Sequence, residues 1–178
     1  YRHYRAVAEA VDLPLVLYNI PGRTGVNMLP ATIARLTALP TIVGVKEGSG
    51  SVQQASDIVQ MCGDRLTVLA GDEALPLPLM AVGGKGVITV TANIVPAEMA
   101  GLVKTFAEGK IADARRIHFK LSPLFAALFF ETNPIPVKEA LSLMGKIDPE
   151  LRLPLCPMAQ DTREKLIQAL KEASLIAH

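Results

Sequence analysis

Short apolar runs alternate with longer helical stretches along the first part of the chain. The apolar runs lie at residues 13–18, 41–46, 66–70 and 86–90. Their nearly continuous apolar character is typical of strands buried on both faces of a parallel sheet. The stretches with helical spacing lie at 30–39, 51–61, 73–82 and 96–108. This alternation predicts repeated βαβ units and therefore an α/β fold with a parallel sheet.

The pattern changes after Gly109, where no further strand candidate follows. Three helical stretches take over, at residues 112–130, 136–144 and 159–176. Proline-containing segments at 133–136 and 153–157 separate them, because proline cannot continue a helix. The sequence therefore predicts an α/β part over residues 1–109 and a helical domain over residues 110–178.

The composition excludes several classes of function. The formal net charge is only +1, which gives no electrostatic footprint for nucleic acid or an anionic membrane surface. No apolar run reaches the about 18 residues that a membrane-spanning helix needs. Cys62 and Cys156 are too far apart in sequence to form a metal-binding motif, and they argue against a disulfide framework. A reducing, cytoplasmic compartment is expected.

Lys46 is the first candidate for chemistry, because it ends the second apolar run. Sites in parallel α/β folds form at the carboxyl ends of the strands. A lysine amine that emerges from a buried strand end loses hydration, which favours the neutral form that attacks ketones and aldehydes. The alternative is a lysine whose stem packs on the sheet while its ammonium reaches water.

Tyr18 and Arg23 lie at the end of the neighbouring strand. A phenol can relay protons, and a guanidinium can hold a carboxylate through two parallel hydrogen bonds. Together with Lys46, these residues describe imine chemistry on a 2-oxo acid. Taken singly, Tyr18 could close a strand with its hydroxyl in water, and Arg23 could be a loop charge.

The glycines and the remaining polar residues are less specific. Gly71 follows the third strand, where a missing side chain would let a ligand approach the backbone, although a plain turn explains it nearly as well. The glycine-rich segment 83–86 precedes its strand and is interpreted as a helix-to-strand turn rather than a phosphate cradle. Asp72 and Glu73 are expected to begin a helix. The three histidines, His3, His118 and His178, have no partner at metal-ligand spacing.

Five ordered motifs resemble the dihydrodipicolinate synthase family of Schiff-base-forming lyases. They are Tyr18-Asn-Ile-Pro-Gly-Arg-Thr-Gly25, Gly44-Val-Lys-Glu47, Ala70-Gly-Asp72, Gly84-Lys-Gly-Val-Ile-Thr-Val90 and Asn133-Pro-Ile-Pro-Val-Lys138. The sugar-acid lyases of the same superfamily share the lysine and the tyrosine. An arginine at the position of Arg23 is what points to the synthase.

The resemblance implies an architecture larger than this chain. Family members form an eight-stranded TIM (β/α) barrel followed by a helical domain. The chain resembles the last four strands and that domain, so we expect the C-terminal half of a barrel with the N-terminal half absent. The threonine and the second tyrosine of the family's site have no counterpart here, which leaves an incomplete active site.

The resemblance also implies residue roles. Lys46 would form an imine with pyruvate, Tyr18 would relay protons, and Arg23 would bind the carboxylate of aspartate 4-semialdehyde. Gly71 and Ile88 would line the pyruvate site. The reaction would belong to the biosynthesis of diaminopimelate and lysine, it would need no metal or organic cofactor, and the enzyme would be a cytoplasmic homotetramer.

Two alternatives remain open from the sequence. One is another pyruvate-dependent aldolase of the superfamily that acts on sugar acids. The other is a non-catalytic half-barrel that associates with itself, since four parallel strands without closure leave two edges with unpaired backbone groups.

Overall fold

A computed structural model describes residues 1–177 and contains one four-stranded parallel sheet in the order β1-β2-β3-β4. The strands are Leu15–Asn19 (β1), Ile42–Glu47 (β2), Thr67–Ala70 (β3) and Gly86–Val87 (β4). All four predicted strands are therefore present. The fourth is shorter than predicted, because the chain leaves the sheet and forms a 3₁₀ turn at Thr91–Asn93.

Nine α-helices are present among the described residues. They are Arg2–Ala10 (α1), Pro21–Thr24 (α2), Pro30–Leu36 (α3), Val52–Cys62 (α4), Pro76–Ala81 (α5), Pro96–Ala107 (α6), Ile111–Ala127 (α7), Ile135–Leu143 (α8) and Gln160–Glu172 (α9). The short helix α2 was not predicted. The prediction that Asp72 and Glu73 begin a helix is wrong: the Asp72 carboxylate accepts a hydrogen bond from the Ala74 amide at 2.9 Å in a turn, and α5 begins only at Pro76.

The hydrophobic core lies against one face of the sheet. Leu17, Val45 and Val68 point into it from the strands and are at most 2% exposed. Helices α3, α4 and α5 contribute the facing side chains Ile33, Leu36, Ala55, Ile58, Cys62 and Leu79. The prediction that the strands are buried on both faces is wrong for β1. Val16 and Tyr18 alternate with the core residues and are 49% and 40% exposed, because these helices cover only one side.

The register of β1 against β2 places their carboxyl ends side by side. Tyr18 pairs with Lys46, and Asn19 pairs with Glu47 in the next position. Side chains that pair across a sheet point to the same face, so Tyr18 and Lys46 share the face that also carries Val16. We call this the exposed sheet face.

The glycine-rich segment before β4 is a tight helix-to-strand turn, as predicted. Gly83 has a φ of 109°, which favours glycine. A Cβ on Gly84 would lie 2.9 Å from the Leu79 carbonyl oxygen, so the backbone can pass there only without a side chain.

The chain divides into two compact units, one spanning Tyr1–Thr89 and the other starting at Val90. In the second unit α6 packs against α7, and α9 packs against both α7 and α8. The boundary after residue 109 between a barrel part and a helical domain stays a prediction. No described helix is both long and apolar enough to cross a membrane.

Candidate active site

Lys46 and Tyr18 are brought together at the carboxyl ends of β1 and β2. The Lys46 Nζ lies over the Tyr18 ring, 4.1 Å from its centroid. Lys46 is half-buried, while Tyr18 is 40% exposed on the same sheet face. An ammonium over a phenol ring gains a cation–π attraction, which helps to hold the lysine side chain in one place. An amine and a phenol therefore lie together on the exposed sheet face.

Arg23 lies in a different element from this pair. It belongs to the short helix α2 and is exposed. Gly25 ends α2 in the left-handed conformation, with φ 70°, and its amide donates to the Pro21 carbonyl at 2.9 Å. The Thr24 hydroxyl donates to the Ile20 carbonyl at 3.0 Å. These local bonds give the arginine a fixed base from which its long side chain extends into solvent.

The structure explains why position 71 is a glycine, which the sequence did not reveal. Its amide donates to the Glu47 carbonyl at 2.7 Å. A Cβ at this position would lie 2.9 Å from that oxygen and 3.0 Å from the Gly48 Cα. The backbone that approaches Gly71 is therefore that of the neighbouring strand end. Its predicted part in binding pyruvate stays a prediction.

Ile88 lies directly after β4 and continues the sheet by one bond. Its amide donates to the Ala70 carbonyl at 2.9 Å, and the residue is 42% exposed. Its predicted place in the substrate site also stays a prediction.

The sequence reasoning missed Glu47, the residue next to Lys46. Glu47 is 3% exposed, although it is an acid. Its Oε2 accepts from the Asn19 Nδ2 at 3.0 Å and the Gln54 Nε2 at 3.2 Å, and its Oε1 accepts from the Ser49 amide at 2.7 Å. These donors are all neutral. The sequence could have indicated this burial: side chains alternate along a strand, so an outward Lys46 predicts that its neighbour Glu47 points into the core.

Three side-chain amides complete this polar group. The Asn27 Nδ2 donates to the Gln54 Oε1 at 2.8 Å, and the Gln54 Nε2 donates back to the Asn27 Oδ1 at 3.1 Å. Asn19 also donates to the Asn27 Oδ1, at 2.8 Å, and its own Oδ1 accepts from the Met28 amide at 2.9 Å. We call Asn19, Asn27, Glu47 and Gln54 the polar clamp.

A second buried acid lies at the ends of β3 and β4. Glu73 is 7% exposed, and the Thr89 hydroxyl donates to its carboxylate. The sequence motif at 72–73 thus contributes a buried hydrogen-bonded carboxylate in a turn. His3 lies exposed in α1 and His118 half-buried in α7, whereas His178 lies outside the described residues.

Comparison with known proteins decides the family. A model of the Dihydrodipicolinate synthetase family matches residues 1–173. The chain belongs to this family. It is 54% identical over 176 residues to a 4-hydroxy-tetrahydrodipicolinate synthase of Thermodesulfovibrio yellowstonii, and the match covers 99% of this chain and 60% of that relative. The chain thus spans about 60% of the length of the curated relatives that it matches.

Solved structures of family members share the fold. The dihydrodipicolinate synthase of Thermotoga maritima matches with a TM-score of 0.95 and 44% identity, over 99% of this chain and 61% of that one. The chloride-inhibited synthase of Acinetobacter baumannii, complexed with pyruvate, matches with a TM-score of 0.95 and 44% identity, over 99% and 60%. These neighbours are TIM-barrel enzymes, so the predicted fold class, half a barrel followed by a helical domain, is confirmed.

Proposed function

We propose that this chain contributes the imine-forming part of a 4-hydroxy-tetrahydrodipicolinate synthase, which condenses pyruvate with aspartate 4-semialdehyde. The observation that carries the proposal is the Lys46 Nζ held 4.1 Å from the centre of the Tyr18 ring on the exposed sheet face. The chain's relatives have this name, and a structural neighbour of 44% identity was solved with pyruvate.

The first step is imine formation. The Lys46 amine attacks C2 of pyruvate and forms a C–N bond, and a proton of the nitrogen moves to the carbonyl oxygen, which becomes a hydroxyl. Tyr18 delivers a proton to that hydroxyl, which leaves as water, and the protonated imine remains. A phenol whose ring lies against the amine is suited to this transfer, because its hydroxyl shares the space in which the carbinolamine forms.

The second step joins the two substrates. The imine withdraws electrons from pyruvate C3, which gives a proton to the Tyr18 phenolate left by the first step and becomes an enamine. The enamine carbon attacks the aldehyde carbon of aspartate 4-semialdehyde, whose oxygen takes a proton from Tyr18 and becomes a hydroxyl, while Arg23 holds the carboxylate of that substrate. The substrate's amino group then attacks C2, closes the ring and displaces the Lys46 amine. The proton that the new ring nitrogen gives up returns to Tyr18, which regenerates the enzyme.

Gly71 and Ile88 are proposed to border the pyruvate position. Gly71 follows β3, whose Leu69 pairs with Lys46, and Ile88 follows β4. Both therefore lie at the same edge of the sheet as the amine. The 42% exposure of Ile88 leaves an apolar side chain free to contact the methyl group of pyruvate.

Self-association and a cytoplasmic location complete the proposal. In the sheet of the described residues β1 and β4 are the edge strands, and edge strands carry unpaired backbone groups that favour association with a further copy of the protein. Cys62 and Cys156 are both free thiols, as suits a reducing compartment.

Reductive trapping tests the proposed chemistry. Borohydride added with pyruvate should convert Lys46 into a carboxyethyl-lysine, located by peptide mass spectrometry, while the exposed Lys85 stays unmodified. The same experiment is run on a chimera that joins this chain to the part of the Thermodesulfovibrio yellowstonii synthase that it does not match. Absence of the adduct from Lys46 in both proteins, or labelling of Lys85 to the same extent, would overturn the assignment.

A further inference from the structure

The polar clamp lies directly behind the candidate active site. Asn19 and Glu47 form the register pair that follows Tyr18 and Lys46. Because successive side chains alternate across a strand, the reactive pair points to the exposed sheet face and the clamp pair points into the core. Asn19 is 1% exposed and Glu47 is 3% exposed.

A buried carboxylate among neutral donors is expensive to keep. Such a group lowers the free energy of the folded state only while its hydrogen bonds are complete, and a leucine of similar size would pack there without that requirement. The Glu47 carboxylate is not paired with a cation by any of the bonds described above, so ion-pair energy does not account for it.

We propose that the polar clamp is the positioning element of the site: it holds Lys46 against Tyr18 and anchors the loop that carries Arg23. This inference rests on the proposed function, since it assigns the clamp its purpose in imine formation. The four clamp residues act through the strands and the loop and do not touch the substrate.

The first part of the argument concerns the register of the strand ends. A one-residue slip between paired strands sends every side chain to the opposite face. The last backbone bond that joins the ends of β1 and β2 runs from the Gly48 amide to the Asn19 carbonyl, at 2.8 Å. The Asn19 side chain adds bonds of 3.0 and 3.3 Å to the Glu47 carboxylate at the same level. Glu47 is covalently next to Lys46, so fixing one fixes the base of the other.

The second part concerns the Arg23 loop. The loop leaves β1 directly after Asn19 and returns at Asn27 and Met28. The side chain at the start of the loop binds both residues at its return: the Asn19 Nδ2 donates to the Asn27 Oδ1 at 2.8 Å, and the Asn19 Oδ1 accepts from the Met28 amide at 2.9 Å. Asn27 is bound in turn to Gln54 of α4. One asparagine therefore closes the loop that presents the carboxylate-binding arginine.

Two substitutions that together exchange donors and acceptors within the polar clamp test this role in the 178-residue chain. In Glu47→Gln the new NH₂ group faces the Asn19 and Gln54 donors, so bonds are lost. In Asn19→Asp two carboxylates face each other. The double variant combines Asn19→Asp with Glu47→Gln. In it the carboxylate introduced at position 19 on β1 accepts from the amide introduced at position 47 on β2. The Asn27 and Gln54 amides then turn end for end, so the ring of bonds closes again in the opposite direction with the same net charge.

The main readout is the rate of pyruvate trapping on Lys46, measured well below the unfolding temperature of each variant. Glu47→Gln should lower the rate at saturating pyruvate about 10- to 100-fold, the size expected when reacting groups are displaced by about an ångström. The half-saturating pyruvate concentration should change little, and the double variant should recover most of the rate. Glu139→Gln is the matched control, since it disturbs an acid bound to Arg163 at 2.7 Å in the second unit.

Hydrogen exchange gives a readout that does not need pyruvate. The Gly48 and Met28 amides should exchange faster in Glu47→Gln and return to the original rate in the double variant. If neither the original chain nor the chimera gives an adduct on Lys46, the proposed function fails, and exchange alone then decides whether the clamp holds the strand ends and the loop. If Glu47→Gln does not fold, Asn27→Ala, which removes only the bonds of the Asn27 side chain, should speed exchange at Met28.

Two results would overturn the positioning role. One is a Glu47→Gln chain that traps pyruvate at the original rate and keeps its amide protection. The other is a double variant that regains thermal stability but not the trapping rate, because a restored ring of bonds would then not restore the geometry.

Discussion

The Gly71 amide donates to the Glu47 carbonyl at 2.7 Å, and this contact leaves no room for a side chain on Gly71. A Cβ would lie 2.9 Å from the Glu47 oxygen, closer than carbon and oxygen tolerate. The Glu47 oxygen and the backbone of Gly71 both belong to strand ends, so neither can move aside at low energetic cost. The close approach of β2 and β3 at the site thus depends on this glycine.

We expect Gly71→Ala to destabilise the chain by about 1–3 kcal/mol, the usual cost of forcing extra volume into a packed position. Gly101→Ala is a matched control in α6, where the new methyl would lie 4.0 Å from the Ile117 side chain. That substitution should stabilise by about 0.5–1 kcal/mol through helix propensity. Urea unfolding of both variants checks the pair, and equal effects would contradict the steric explanation.

Several features of the site could be predicted from the sequence and others could not. Lys46 and Tyr18 each end an apolar run, so the topology of a parallel sheet was enough to place them at one edge. The bonds of the polar clamp join Asn19 to Glu47 and Asn27 to Gln54, separations of 28 and 27 residues. No local pattern encodes such bonds, because they depend on the register of the strands and on the path of a loop. The reason for Gly71 was hidden in the same way.

The roles of the Tyr18 ring and of the Tyr18 hydroxyl can be tested separately. Tyr18→Phe keeps the ring under the Lys46 Nζ, which lies 4.1 Å from its centroid, and removes only the hydroxyl. We expect it to slow imine formation about 10²- to 10⁴-fold, the range for loss of a general acid–base group, while Lys46 is still the residue trapped. Tyr18→Leu removes the cation–π contact as well and should be slower still. Rapid-quench trapping with pyruvate measures both rates, and a Tyr18→Phe chain as fast as the original would exclude a proton relay by Tyr18.

Arg23 should affect the second substrate and not the first. It lies in α2, in a different element from Lys46, so Arg23→Ala should leave pyruvate trapping unchanged. In the chimera, however, the KM for aspartate 4-semialdehyde should rise about 10- to 100-fold, as expected when a charge-assisted hydrogen bond is lost. Steady-state kinetics with varied semialdehyde checks this. Faster turnover of sugar-acid substrates than of the semialdehyde would instead favour an aldolase of the wider superfamily.

His118 should make the stability of the chain depend on pH. It lies on α7, with its ring centre 5.5 Å from that of Phe125, and its buried Nδ1 has no hydrogen-bond partner among the described residues. Burial lowers the pKa of His118 from its ordinary value of 6.5. The unfolded chain therefore binds the proton more readily than the folded chain, so the free energy of unfolding falls as the pH drops below 6.5.

His118→Phe should weaken this acid sensitivity, because a neutral ring replaces the group whose protonation is opposed by burial. Urea unfolding at about pH 8 and about pH 5, on either side of the ordinary histidine pKa, gives the loss of stability for each chain. The loss should be smaller in His118→Phe than in the original.

His3→Phe is the control, since His3 lies exposed in α1, and it should lose as much stability as the original chain. All three chains share the same carboxylates, so carboxylate titration contributes equally to each loss of stability and does not affect the comparison. An unchanged difference between the two pH values in His118→Phe would show that this histidine is not what destabilises the chain in acid.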